Sequence, residues 1–132
     1  MNQIRTWQEC VAAHGHECGG LAIGYQVSRY AIELLDIEFD EDERILCVAE
    51  GKGCPLDGIR TMLRCDEGKN ELRVEDTGNH AYSFYNLGTG EGVRLTPKQY
   101  PEMEKSEMKD FLLNMTYRYL FDKVSTEQIP EA

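Results

Sequence analysis

The chain has 132 residues, 41% of them hydrophobic and 29% charged, which fits one globular domain over residues 1–132 and excludes both global disorder and a large multidomain enzyme. Fourteen Lys and Arg face 24 Asp and Glu, a formal charge of -10. Such a surface repels phosphate backbones, so nucleic acid is not an expected partner.

The opening residues, Met1 to Cys10, lack the apolar core of a signal peptide. The longest strongly apolar runs, such as Ile45–Ala49, are far too short to span a bilayer. A cytoplasmic protein with no membrane partner is therefore expected. Residues 4–13 read as a short helix anchored by Trp7 and by Cys10 or Val11. In residues 18–36, Leu21, Tyr25, Ser28, Ile32 and Leu35 recur at helical spacing. Gly20 and Gly24 weaken that helix but let a second backbone or a ligand come close.

An acidic loop, Asp36–Glu43, leads to a strand over residues 44–50 that is too apolar to be an exposed edge. Gly51-Lys52-Gly53-Cys54-Pro55 turns the chain. Pro55 suits the first position of a helix over Leu56–Arg64 that ends near Gly68. The period then changes, and Glu71–Asp76, His80–Asn86 and Gly92–Leu95 read as three strands of a meander. Pro101 cuts short any helix started at Thr96. A last helix is predicted over Glu102–Val124, its stripe of Met108, Phe111, Leu112, Met115, Tyr119 and Leu120 serving core or dimer packing. Ser125–Ala132 is expected to fray. The fold class is α+β, an antiparallel β-sheet packed against helices.

The five cysteines are an odd number without a secretory signal, which disfavours a disulfide scaffold. Two of them stand out by position. In His14-Gly15-His16-Glu17-Cys18, imidazole and thiolate are good ligands for a borderline metal, and Gly15 permits a turn that aims both rings at one centre. Cys18 begins the long helix, where free N–H groups favour a thiolate. Cys54 has the same setting at the next helix. If the two starts converge, two thiols and up to two imidazoles share a cleft, and Asp57 in the first turn can orient a histidine or act as a base.

The bland alternative, a polar turn with core thiols, carries about equal weight on spacing alone, because the string matches no standard zinc-finger spacing. Glu17 and Glu50 are weaker candidates. Cys10, Cys47 and Cys65 read as buried thiols, His80 as structural or surface, and Lys52 and Lys69 as exposed. The required patterns of a P-loop or a dinucleotide fingerprint are missing around Gly51 and Gly53.

These segments resemble the E-subunit family of formylmethanofuran dehydrogenase. Its hallmark is a His-Gly-His-x-Cys segment leading into a glycine-containing helix, matched here by His14–Cys18 and continuing through Gly24-Tyr25. Its second signature looks like Cys54-Pro55-Leu56-Asp57-Gly58-Ile59, followed by Cys65 and a glycine-lysine turn. A third piece is the strand pair around Gly78–Tyr85, so the resemblance spans roughly residues 10–96. Gly19 departs from the family's proline, and Glu67-Gly68-Lys69-Asn70 alters its turn. The resemblance implies an α+β core, often dimeric, with His16, Cys18 and Cys54 in one cleft and His14 close by. It also leads us to expect the core without the cysteine-rich zinc domain that many members add.

Three functions follow as expectations. The first is a metal-binding accessory protein or small metal-dependent enzyme acting on a small molecule, holding Zn2+ or another transition metal with His14, His16, Cys18 and Cys54, and with Asp57 moving a proton or orienting a ligand. The second is a metal-free thiol enzyme with Cys18 as nucleophile, His16 as base and Cys54 as resolving thiol. The third is a non-catalytic subunit or carrier. No pterin or iron–sulfur pattern supports assigning formylmethanofuran oxidation to this chain.

Overall fold

The computed structural model describes residues 4–126. The first helix, α1 (Trp7–His14), starts on a capping box in which the Thr6 side chain accepts from the Glu9 N–H and Glu9 answers the Thr6 N–H. It ends at Gly15, whose φ of 100° only glycine takes readily. Then α2 (Gly19–Leu34) carries Leu21, Ala22, Val27, Ala31 and Ile32 into the core. The expected loop leads to β1 (Ile45–Ala49), α3 (Pro55–Met62), a 3-10 turn (Cys65–Glu67), β2 (Glu71–Val74), β3 (Tyr82–Asn86) and β4 (Gly92–Pro97).

These strands and a fifth, β5 (Phe121–Thr126), form one mixed, mostly antiparallel sheet in the order β2-β1-β3-β4-β5. As its apolar run demanded, β1 lies inside the sheet with all five residues buried. Ile45, Cys47, Ala49, Phe84, Val93 and Leu95 turn one sheet face toward the helices and form the main core with them. Leu46, Val48 and Tyr85 make a smaller cluster on the other face. The α+β class is as expected.

Two expectations are corrected. The three strands after residue 70 are not a meander: β3 and β4 pair antiparallel, but β2 pairs parallel to β1, which separates it from β3. The helix α3 is the crossover that a parallel β1–β2 pair requires, and it carries the chain back along the sheet. The last helix is also shorter than Glu102–Val124. It is broken into α4 (Lys105–Asn114), a single turn α5 (Tyr117–Leu120) and the strand β5 (Phe121–Thr126), which pairs with β4.

The reason lies across the core. Gln26 of α2, fully buried, donates to the carbonyls of Leu112 (2.7 Å) and Met115 (3.3 Å) and so takes up the orphan end of α4. Asp122 and Lys123 then lie exposed on an edge strand, where charge discourages further pairing. The predicted fraying segment begins inside β5 and otherwise lies outside the described residues.

At the end of β1, Glu50 clamps the loop that leads to Cys54. It accepts from Arg94 (2.9 and 3.2 Å) and from Asn79 (2.9 Å). The Arg94 guanidinium holds the Glu50 carboxyl below its ordinary value of 4.5, against an opposing push from burial. The contribution is complete above about pH 4.5 and disappears as pH falls through the lower value of the folded state. Glu50→Gln is therefore expected to cost about 1 kcal/mol at pH 7, Arg94 being partly solvated, and much less at pH 3. Urea denaturation at both pH values checks this, and an equal loss at both would exclude the ion pair as its cause.

Candidate metal centre

Three local structures bring the candidate residues together. His14 is the last residue of α1, and the left-handed Gly15 reverses the chain so that His16 lies beside it, ring centroids 4.4 Å apart. Cys18 is the N-cap of α2, its sulfur accepting from the Leu21 N–H at 3.4 Å. Cys54 precedes α3, with Pro55 in the first turn, and makes no side-chain cap hydrogen bond.

The two helix starts do converge, because glycines line their contact. A Cβ on Gly20 would meet the Cys54 Cβ at 2.8 Å, one on Gly24 the Pro55 carbonyl oxygen at 2.1 Å, and one on Gly58 the Tyr25 nitrogen at 3.0 Å. No larger residue at Gly24 fits this approach without moving a backbone. As a result, one donor atom from each of His14, His16, Cys18 and Cys54 lies within 4.8 Å of the others. This two-imidazole, two-sulfur cluster is capable of coordinating a transition-metal ion such as Zn2+.

The hydrogen bonds around the cluster suit that chemistry. Asp57, in the first turn of α3, bonds His14 Nδ1 at 2.8 Å and also receives Arg60 at 3.1 Å. With Nδ1 occupied, His14 Nε2 is the nitrogen turned toward the thiols, 3.7 Å from the Cys18 sulfur. The Asp57 hydrogen bond raises the His14 pKa, and the same bond lowers that of Asp57 against the effect of burial. Burial pushes the Cys18 thiol up, but the Leu21 N–H, the Cys54 thiol and His14 together bring it below its ordinary value. Burial and the neighbouring Cys18 push Cys54 the other way. Of the two thiols, Cys18 is the one whose sulfur a backbone N–H of its helix supports.

The remaining candidates lie elsewhere. Glu17 turns to Trp7 Nε1 (3.4 Å) and the Lys109 ammonium (3.5 Å), and Glu50 to Arg94. Burial raises Cys10 and Cys65 to about 11, and it raises the fully buried Cys47 well above its ordinary value. Cys10 and Cys47 are the expected buried thiols, and Cys65 is partly buried against the core. Lys52 pairs with Asp76 at 3.6 Å, and His80 and Lys69 are exposed.

A cleft of about 610 Å³ opens beside the two thiols, between the start of α2 and α4. Glu17, Cys18, Gly19, Gly20 and Cys54 form one wall, and Met103, Lys105, Ser106, Met108 and Lys109 form the other. Sequence reasoning missed this second wall because it treated Met108 only as packing. The available signal was Lys105, Met108, Lys109 and Leu112 on one helical stripe, apolar and cationic residues mixed.

Residues 13–126 match the family model described as FmdE, molybdenum formylmethanofuran dehydrogenase operon. The chain belongs to the FmdE family. A tungsten formylmethanofuran dehydrogenase FmdE-like protein from Syntrophus aciditrophicus has a similar fold, with a TM-score of 0.68 at 22% identity over 98% of this chain and 79% of that one. A probable S-adenosyl-L-methionine-binding protein of Archaeoglobus fulgidus is 34% identical over 86 residues, 62% of this chain. The chain spans only 24% of that relative's length. The FmdE match includes every residue of the cluster and ends with β5. Among the described residues, no helix is long and apolar enough to cross a membrane.

Proposed function

We propose that this FmdE-family chain is a metal-binding protein whose centre, built from His14, His16, Cys18 and Cys54, meets a small molecule in the adjoining cleft. The convergence of four donor atoms within 4.8 Å carries the reading. Two soft sulfurs with two imidazoles suit zinc or a similar late transition metal. The cleft beside Cys18 and Cys54 favours contact with a ligand over a closed, purely structural site. When bound, such an ion supplies Lewis-acid chemistry there.

The chain's own residues prepare the site. Asp57 fixes the His14 ring and its tautomer, Leu21 N–H stabilises the Cys18 thiolate, and Gly20 and Gly24 hold the two sulfurs near each other. Untagged protein, purified without chelator and reconstituted anaerobically, is expected to bind one metal ion per chain by inductively coupled plasma analysis. Less than about 0.1 ion per chain would sink the reading, a threshold set by the near-complete occupancy expected of a structural-strength site.

Asp57 offers a second check. Asp57→Asn keeps the side chain's shape but weakens the support of His14, and metal affinity should fall about 10–100-fold in a chelator competition. An unchanged affinity would leave Asp57 with no part in orienting the ligand. The lowered Cys18 thiol beside Cys54 also favours a second reading, metal-free thiol chemistry, in which His14 at 3.7 Å is the imidazole in reach of the nucleophile. The metal stoichiometry decides between them.

A further inference from the structure

The wall of the cleft contributed by α4 has a chemistry that the metal cluster does not explain. Met103 and Met108 give it an apolar lining, and Met108 reaches over the start of α2, its Cγ 3.6 Å from where a Gly19 Cβ would stand. Lys105 and Lys109, four residues apart on the same helical face, both line the same space. Lys109 is held loosely by Glu17 and Asp110, at 3.5 and 3.6 Å, and is three-quarters buried. Lys105 is exposed and has no carboxylate in ion-pair range among the described residues. Glu102, Glu104 and Glu107 line an adjoining hollow that shares Met103 and Lys105 with the cleft. On a chain of net charge -10, two lysines therefore line one concave site whose lining holds a single carboxylate, Glu17.

We propose that this cleft binds a small carboxylate with an apolar body, its carboxylate on Lys105 and Lys109 and its chain against Met103 and Met108, so that the far end reaches Cys18. This deepens the reading of the cluster as a metal centre by naming the class of molecule brought to it, and rests on that reading only for what the far end meets. A carboxylate fits better than a phosphate. The lining offers two lysines and the Ser106 hydroxyl but no arginine fork, the bidentate partner that a phosphate dianion favours. The methionines supply a flexible apolar surface that accepts a chain without fixing its branching.

Titrations of the full chain with hexanoate, hexanol and hexyl phosphate, followed by backbone amide NMR, test the assignment. Hexanoate is expected to bind about tenfold tighter than hexanol, two partly solvated ion pairs supplying the difference. The shifts should concentrate at Gly19, Gly20 and residues 105–109. Lys105→Met with Lys109→Met should lower hexanoate to the affinity of hexanol and leave hexanol unchanged, which also shows that the variant is folded. If the double variant is unfolded, Lys105→Met alone must reduce the preference. Equal binding of hexanoate and hexanol, a preference that survives both substitutions, or tighter binding of hexyl phosphate would each overturn the proposal. Running the series on metal-free protein separates the two readings. Failure of the metal centre appears as missing metal stoichiometry, and the lysine-dependent preference is measured without any metal for the carboxylate to ligate.

Discussion

Gly24→Ala is expected to destabilise the fold by about 2 kcal/mol or more and to strip the protein of its metal affinity. The added Cβ would sit 2.1 Å from the Pro55 carbonyl oxygen, 2.9 Å from its carbonyl carbon and 2.9 Å from its Cα. All three are backbone atoms at the first turn of α3, so no side chain can swing away. Overpacking of this kind costs about 3 kcal/mol at the upper end of its usual range. Alanine's better helix propensity offsets about 1 kcal/mol. Relief requires α3 to move from α2, which carries Cys54 away from Cys18. Urea denaturation of metal-free protein and a chelator competition would follow both effects. Gly19→Ala is the control: its Cβ meets only Met108 and Leu112 side chains, at 3.6 and 3.8 Å, and should leave folding and metal binding intact. Native-like stability and affinity in Gly24→Ala would mean that the helices do not approach as closely as described.

That contact shows how much the sequence could reveal. Gly20 and Gly24 were readable as points of close approach, and the cysteines as helix starts, because both follow from local rules about side-chain size and capping. The turn at Gly15 and the place of Asp57 in the first turn of α3 were equally local. Asp57's choice of His14 over His16 was not, since it depends on how α1 packs against α3.

The end of the chain was illegible for a related reason. Met108, Leu112, Met115 and Tyr119 fit a helical period, so nothing local marked a break. The break is imposed by Gln26, 86 residues away from the Leu112 carbonyl it captures. A buried glutamine within the apolar face of α2 was the only trace of it. The parallel pairing of β2 likewise depends on α3 acting as a crossover, and alternation within Glu71–Val74 cannot distinguish a parallel partner from an antiparallel one.

Cys18→Ser is expected to lower metal affinity at least about a hundredfold while leaving the metal-free fold as stable as before. The two effects separate because Cys18 has two roles. As N-cap of α2 its sulfur accepts from the Leu21 N–H, and a serine hydroxyl fills that role as well or better. As a ligand it offers a thiolate, brought below its ordinary pKa by that N–H, by Cys54 and by His14 against the cost of burial. A serine hydroxyl remains protonated at neutral pH and cannot replace it. Four-ligand zinc sites bind with about 10–16 kcal/mol, so one thiolate accounts for about 3 kcal/mol, or roughly a hundredfold. Cys18→Ala should lose both roles, with a further penalty of about 1 kcal/mol in the metal-free protein from the missing cap. Chelator competition reads the ligand and thermal denaturation in chelator reads the cap. If the serine variant binds metal as tightly as the native chain, Cys18 is a helix cap and no more. If instead serine matches alanine in the metal-free protein, the cap contributes nothing, and the thiol at this helix start serves the cluster alone.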